Sequence, residues 1–417
     1  MSLPIYRLTC QTQSYDWGKV GLESKVATLA SNSGVEIDTS KPYAELWMGT
    51  HPNAPSLVMD DNHTPLKSLI HNDPKLSSEP VYKQYNGDLP FLFKVLSIRK
   101  ALSIQAHPDK TLGANLFENF PENYKDANHK PEMAIALTPF EAFCGFRPLE
   151  EIIHHFQRYP ELATLIGDQT SQSFIATAED PNASEDKKKQ ALKSVFGSLM
   201  NAKQEDVTEQ IAHLISRLDA SSDEPIDKLI LRLDQQYPGG DVGLMSSLFL
   251  NYVVMSPGEA IFLGANEPHA YLSGDCVECM AASDNVVRAG LTPKFKDVKV
   301  LVDMLTYRYG SAESQKMNPV PYGAHSHVYD PPIEEFTVLQ TTLKADDQEK
   351  HLPIQGPSIL IVTAGSGEMT GEAIKTESSF TLGEGYVYFI GADCPLNIHA
   401  GKDGVTTYRA YTLPTFH

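Results

Sequence analysis

The residues best suited to chemistry lie in Ser103-Ile104-Gln105-Ala106-His107-Pro108-Asp109-Lys110, at the end of an apolar run from Leu89 to Ile104 that reads as strands. Residues i and i+2 of a strand share a face, so the Gln105 amide oxygen and the His107 imidazole converge on one point. Glu132, in Asn128-His129-Lys130-Pro131-Glu132, can add a carboxylate, and His269, in Asn266-Glu267-Pro268-His269-Ala270-Tyr271, a second imidazole. Two nitrogens and two oxygens suit a borderline divalent metal such as zinc. Singly each of the four reads as an ordinary polar residue; the argument rests on the set.

The elements that must position this set fall into three stretches. Residues 1–147 are dense in Pro, Gly, Asn and short apolar runs, the texture of many short strands. After Pro148 the period changes: Leu149, Ile152, Ile153 and Phe156 follow helical spacing, as do Leu192, Val195, Phe196 and Leu199, then Val207, Ile211, Leu214 and Leu218. Pro225 opens a further helical run, Pro238-Gly239-Gly240 ends the block, and strand texture returns near Tyr252. The polar segment Thr177–Lys189 reads as a mobile loop, and His154 and His155 as solvent-facing histidines that diverge on a helix.

An internal repeat bears on the fold class. Phe262-Leu263-Gly264-Ala265-Asn266-Glu267-Pro268-His269 aligns with Phe389-Ile390-Gly391-Ala392-Asp393-Cys394-Pro395-Leu396, and each segment follows a glycine four residues upstream, Gly258 or Gly385. This layout is similar to the second half of a cupin jelly roll, an antiparallel double sheet that can hold a metal between its layers. The expectation is a mainly β protein with a helical insertion: two cupin-type jelly-roll barrels plus an α-helical domain. Residues 1–147 and 250–320 would form the metal-binding roll, 148–249 the insertion, and 321–417 a second roll. That second roll has Leu396 where the first has His269, so a single metal site is expected.

Composition bounds the function. Asp and Glu number 53 against 34 Lys and Arg, a net charge of −19 that argues against nucleic-acid binding. An anionic ligand would therefore need a local basic pocket; Lys94, Arg99, Lys100, Lys110, Lys130, Arg288 and Lys294 lie beside the metal motifs. The five cysteines, Cys10, Cys144, Cys276, Cys279 and Cys394, suit a reducing compartment, and the lone Cys276-Val277-Glu278-Cys279 reads as ordinary thiols. No apolar leader opens the chain and no run approaches the roughly 18 apolar residues of a membrane span. A cytoplasmic monomer, without membrane association, is expected.

The motifs, taken in order, resemble those of the type I mannose-6-phosphate isomerases (phosphomannose isomerases). They include Ser14-Tyr15-Asp16-Trp17-Gly18, Tyr43-Ala44-Glu45-Leu46-Trp47-Met48-Gly49-Thr50-His51-Pro52 and Leu89-Pro90-Phe91-Leu92-Phe93-Lys94-Val95-Leu96. The Gln105/His107 and Glu132 segments follow, then Phe143-Cys144-Gly145-Phe146-Arg147-Pro148, Glu267-Pro268-His269-Ala270-Tyr271 and Ser283-Asp284-Asn285-Val286-Val287-Arg288-Ala289-Gly290-Leu291-Thr292-Pro293-Lys294. The tail beyond Val320 matches by layout. The resemblance implies one Zn2+ per chain on Gln105, His107, Glu132 and His269. It also implies reversible conversion of mannose 6-phosphate to fructose 6-phosphate through a cis-enediol, which supplies mannose for GDP-mannose synthesis and glycosylation.

Arg288 matches the family's active-site arginine, and Glu278 is favoured over Asp284 as the proton-transferring carboxylate. Ser103, Lys130 and Lys294 are candidates for binding the sugar phosphate, and Tyr271 and Trp17 for the pocket wall or the core. Two rivals remain open: a cupin dioxygenase, since His107, His269 and Glu132 alone make a two-histidine, one-carboxylate iron triad, and a non-enzymatic storage or sugar-binding protein. Gln105 as a fourth ligand argues against the first, and four ligand-type residues in one roll against the second.

Overall fold

Strands dominate the computed structural model, which describes residues 4–219, 221–373 and 376–415, with a helical insertion between the strands Phe140–Phe146 and Leu250–Met255. The long strand His269–Ala281 belongs to both layers of the first half. Its opening residues pair with Phe140–Phe146 and Ile104–Ala106, and its later ones with Phe91–Ile98 and Glu132–Ala136. Glu45–Met48 extends the sheet beyond Phe91–Ile98.

Residues directly opposed in an antiparallel pair share a face. Glu278 lies opposite Lys94 and Ala134, Met280 opposite Glu132, and Lys94 opposite Trp47. One face of the sheet thus carries Glu45, Trp47, Lys94, Glu132 and Glu278. The other carries Leu46, Phe93, Val95, Ile135 and Val277, buried against Val338, Ile359 and Phe389 of the C-terminal half.

Simple alternation along His269–Ala281 would put odd-numbered residues, His269 among them, on that apolar face. Instead Tyr271 packs with Cys276 in the interior, while Ala270 and Leu272 pack under the helices. The break falls at Gly274, whose φ of +109° suits glycine alone and where a Cβ would stand 2.5 Å from the Pro139 carbonyl oxygen. His269 and Glu278 thereby face the same interior.

The C-terminal sheet runs Val320–Pro321, Ser326–Tyr329, Thr337–Leu343, Leu396–Tyr411, Ser358–Ala373 and Val387–Ile390, and is completed by Ile5–Thr9 and Leu57–Val58 from the start of the chain. Ile5 pairs with Ile390, so hydrogen bonds tie the first strand to the far half of the molecule. Among the described residues neither sheet closes through hydrogen bonds; the expected barrels are open rolls. The repeat is visible in the backbone: Gly258 and Gly385 both have φ of +89°, the strands Ala260–Leu263 and Val387–Ile390 follow, and Asn266 and Asp393 have φ of +62° and +59°.

Helices Leu149–Arg158, Pro160–Ile166, Asp168–Glu179, Glu185–Met200, Gln204–Arg217, Pro225–Gln236 and Val242–Ser246 make up the insertion. Their apolar stripes, with Phe156, Phe196 and Leu199, share a core with Ile104, Ala106, Val287 and Ala289, the backs of the strands that carry Gln105 and Arg288. Two expectations are corrected. Most of Thr177–Lys189 is helix rather than a loop: Ser184 caps Glu185–Met200 by accepting from Lys187 N, with Glu185 and Asp186 favourably placed at its positive end. His155 is buried and not solvent-facing; its Nδ1–H donates to Leu248 O at 2.7 Å, and burial, reinforced by Arg147, lowers its pKa to about 4. Among the described residues no helix is long and apolar enough to cross a membrane, and all five cysteines are free and buried.

Gly274→Ala should cost at least about 2 kcal/mol of stability, because both φ and space oppose a side chain there. A urea-denaturation midpoint indistinguishable from the parent's would show that the register break does not depend on glycine.

Candidate metal centre

His107 follows the strand Ile104–Ala106 and is fully buried; His269 opens its strand directly opposite Gln105. The His107 Nδ1–H donates to Asn285 O at 2.6 Å and the His269 Nδ1–H to Glu267 O at 3.0 Å. Each imidazole thus carries its proton on Nδ1 and offers a lone pair at Nε2. Both Nε2 atoms face one oxygen, Glu132 Oε2, at 3.4 and 3.3 Å, and neither has a hydrogen-bond partner among the described residues.

Two buried lone pairs and a carboxylate oxygen, without a proton between them, would each cost about 1–3 kcal/mol if left unpaired. A cation satisfies all three together. The ligand atoms of His107, Glu132 and His269 lie within 4.8 Å of one another, so this group can bind a metal ion. Gln105 leaves the same face of the ladder as His269 and Arg288, its opposed neighbours, and its Oε1 accepts from Ser103 Oγ at 3.2 Å.

Beside this group lies a row of buried charges. Lys94 Nζ stands 3.5 Å from Glu45 Oε2 and 3.3 Å from Glu278 Oε2, and Lys130 Nζ is 3.3 Å from Glu132 Oε1. The Trp47 indole N–H also donates to Glu45 Oε2. Burial alone would lower the Lys94 pKa, but Glu45, Glu278 and Glu132 outweigh it and hold the ammonium above its usual range. For Glu278, burial and the repulsion of Glu132 and Glu45 exceed the attraction of one shared ammonium, and its carboxyl is raised. Burial pushes Glu132 up as well, yet His107 and Lys130 bring it well below the ordinary carboxylate range.

The other candidate residues are spread more widely. Arg288 is half-buried, its pKa lowered by burial. Of the seven basic residues near the motifs, Lys94, Lys110, Lys130, Lys100 and Arg99 are engaged by Glu45 and Glu278, Glu335, Glu132, Asp16, and the Asp16 carbonyl. The side chains of Arg288 and Lys294 make no hydrogen bond or ion pair among the described residues.

Lys294 is exposed on the turn that follows Arg288. Tyr271 is buried against Phe140, and Trp17 stacks on Tyr15 at 5.7 Å at the margin of the same interior cluster. Asp284 is exposed in a surface cleft of about 500 Å³ with Thr50, His51 and Asp126, apart from the three ligand-type side chains.

Sequence reasoning did not single out Glu45, whose signal was a carboxylate inside Glu45-Leu46-Trp47-Met48, or Asn285, whose carbonyl orients His107. Asp241 gave no signal at all. At the end of the insertion, it accepts from Leu291 N at 2.7 Å and Thr292 N at 3.0 Å, pinning the turn between Arg288 and Lys294.

Fold and site together define an open β-roll protein with a buried, metal-competent His/Glu/His centre. The chain belongs to the phosphomannose isomerase type I family: it matches that family's catalytic domain over residues 5–149, its helical insertion domain over 165–250 and its C-terminal part over 326–370. It is 47% identical to mannose-6-phosphate isomerase of Eremothecium gossypii, covering 99% of this chain and 100% of that one, and 46% identical to that of Saccharomyces cerevisiae with the same coverage. The crystal structure of a lysine-to-alanine variant of phosphomannose isomerase from Salmonella typhimurium superposes with a TM-score of 0.81 at 33% identity, over 98% of this chain and 99% of that one.

In the metal-free protein, burial holds the His107 pKa down to about 4 despite the adjacent Glu132, whereas an unfolded histidine titrates near ~6.5. Between these values the unfolded chain binds a proton that the folded chain does not, so stability is full above the upper value and is lost as pH falls toward the lower. The loss should be on the order of 3 kcal/mol from this group. Urea midpoints between pH 7 and 4 should fall less steeply for His107→Gln than for the parent; parallel slopes would remove His107 as a source.

Proposed function

We propose that the protein, which as a member of its family interconverts D-mannose 6-phosphate and D-fructose 6-phosphate, does so with one zinc ion per chain held by Gln105, His107, Glu132 and His269. The observation that carries the reading is the pair of unpartnered imidazole Nε2 atoms facing Glu132 beside an uncommitted arginine, in a chain of this family. A metal bound there supplies Lewis-acid stabilisation of charge developing on the sugar's O1/O2 pair.

The chain's own residues do the rest. Glu278 removes the C2 proton of mannose 6-phosphate and returns it to C1 while the O2 hydroxyl proton passes to O1, so that C1=O becomes C1–OH and C2–OH becomes C2=O, and the reverse reaction runs the other way; its raised carboxyl supports this role. The exposure of Asp284 favours it for the rim rather than the proton. Lys94, shared between Glu45 and Glu278, positions the base. Arg288 stabilises enediolate or phosphate charge, for which its five donors and fixed charge suit it, and Lys294, Lys130 and Ser103 receive the sugar phosphate. Trp17 and Tyr271 wall the pocket.

Local charge supports an anionic substrate despite the overall −19. Glu45, Glu132 and Glu278 set three carboxylates against the ammonium groups of Lys94 and Lys130. A divalent ion turns that single excess negative charge into a single positive one, and Arg288 adds to it.

We assign residues 1–147 and 250–320 to the catalytic roll, 148–249 to the insertion that supports its back layer, and 321–417 to a roll without metal ligands. The reading extends to a cytoplasmic monomer supplying mannose phosphate for GDP-mannose synthesis and glycosylation.

A coupled assay for fructose 6-phosphate should lose activity on chelation and regain it with zinc. Oxygen consumption with ferrous iron in place of isomerisation would favour the dioxygenase instead. His269→Ala should lower bound zinc and activity together, whereas Arg288→Ala should lower turnover at least about 100-fold with zinc content unchanged. Equal losses of zinc in both variants would make Arg288 a structural residue.

A further inference from the structure

The interior of the C-terminal roll contains a buried arginine without an anionic partner among the described residues. Arg409 and Thr407 leave the same face of Leu396–Tyr411, Arg409 opposite Leu360 and Thr407 opposite Thr341. That face is the inner one: Leu343, Leu360, Val362 and Val405 share it and form the apolar core of this roll. Arg409 is 0% exposed; its Nε–H donates to Ser358 Oγ at 2.8 Å, while Nη1 and Nη2 have no partner among the described residues. Thr407 Oγ1 and His351 Nδ1 are likewise buried and unpartnered. His351 is anchored through Nε2 to Thr341 Oγ1 at 2.8 Å, which is bonded in turn to Ser326 Oγ at 2.8 Å.

A guanidinium keeps its charge in a protein interior, and an uncompensated buried charge costs several kcal/mol. The ionisable groups that act on Arg409 are Cys394, Tyr322 and Tyr411, a thiol and two phenols, classes that are neutral at pH 7. Among the described residues no carboxylate contacts it. Its field also reaches His351, whose pKa is lowered to about 3 by burial first and by Arg409 second. The group is rich in donors and lacks an acid, the inverse of the centre built on His269 in the first roll.

We propose that the C-terminal roll binds a small monovalent anion of the halide class between the Arg409 Nη groups, Thr407 and His351. One negative charge neutralises the one buried positive charge, whereas a dianion would leave an excess in an apolar core. A halide is also cheaper to desolvate than phosphate in a buried, largely apolar interior. The inference concerns the far half of the chain and stands apart from the metal-centre reading.

Bromide serves as the probe. Crystals of the full chain soaked in sodium bromide should show an anomalous peak at hydrogen-bonding distance from both Arg409 Nη atoms. Water density there without anomalous signal would overturn the proposal. In solution, exchanging sodium gluconate for sodium chloride at constant ionic strength, which holds screening of the −19 charge fixed, should raise the melting midpoint by about 2 °C or more. Thr407→Val, which removes one donor and no charge, should weaken that rise, and Arg409→Met should abolish it. Should Arg409→Met fail to fold, Thr407→Val and the diffraction decide. Equal midpoints in the two salts would refute a stabilising halide.

Discussion

Nearly everything at the metal centre hangs on one strand and on the glycine that breaks its alternation. His269–Ala281 is the only strand among those described that pairs with both layers of the first roll. A regular strand can present one set of alternate residues to a given side. By passing through φ of +109° at Gly274, this one turns His269 and Tyr271 inward from one layer and Cys276 and Glu278 inward from the other. The ligand-type histidine and the buried carboxylate therefore share an interior although they are nine positions apart, an odd separation. Gln105 and Arg288 then follow from pairing, since Gln105 stands opposite both His269 and Arg288.

Burying this many charges in a β interior is tolerable because each is held by the next. Lys94 lies between Glu45 and Glu278, and Lys130 against Glu132. Removing one partner from such a pair typically costs about 3–5 kcal/mol, since the other stays behind uncompensated. The same crowding has a chemical consequence. One ammonium shared among several carboxylates does not keep all of them strongly acidic, and Glu278 is the one whose carboxyl is raised. Glu132, closer to the imidazoles and Lys130, moves the opposite way. Two glutamates on one sheet face are thus set apart by their neighbours, one carboxyl raised and the other lowered.

The helical insertion lies behind the layer that carries Gln105 and Arg288 and contributes to its rigidity in two ways. Its apolar stripes pack on Ile104, Ala106, Val287 and Ala289, the sequence neighbours of those two residues on the opposite face of the strands. Asp241 adds a polar clamp on Leu291 and Thr292, in the turn that leads from Arg288 to Lys294. Across the other sheet, the charged loop before Glu132 is tied to the C-terminal half: His129 Nε2 lies 2.6 Å and Lys110 Nζ 3.2 Å from the buried Glu335 carboxylate. The site is braced from both sides by parts of the chain remote in sequence.

The sequence by itself determined the local features: the switch from strand to helix texture at Pro148, the helical stripes, the repeat whose paired glycines and positive-φ Asn266 and Asp393 recur in the backbone, and the ligand-type side chains of His107, Glu132 and His269, which the fold brings together. These are legible because period, turn chemistry and side-chain type are properties of neighbouring residues. Tertiary structure decided the rest. That Ile5–Thr9 completes the C-terminal sheet, that His155 is buried beneath Leu248, that Glu45 and Asp241 serve the site, and that Asp284 stays at the surface all depend on contacts between distant segments. The inward turn of His269 depends on a carbonyl at Pro139 that no reading of the strand could foresee. Alternation and helical period say which residues share a face; only the packed fold says what that face meets, and the energy of a buried charge or lone pair is set by what it meets.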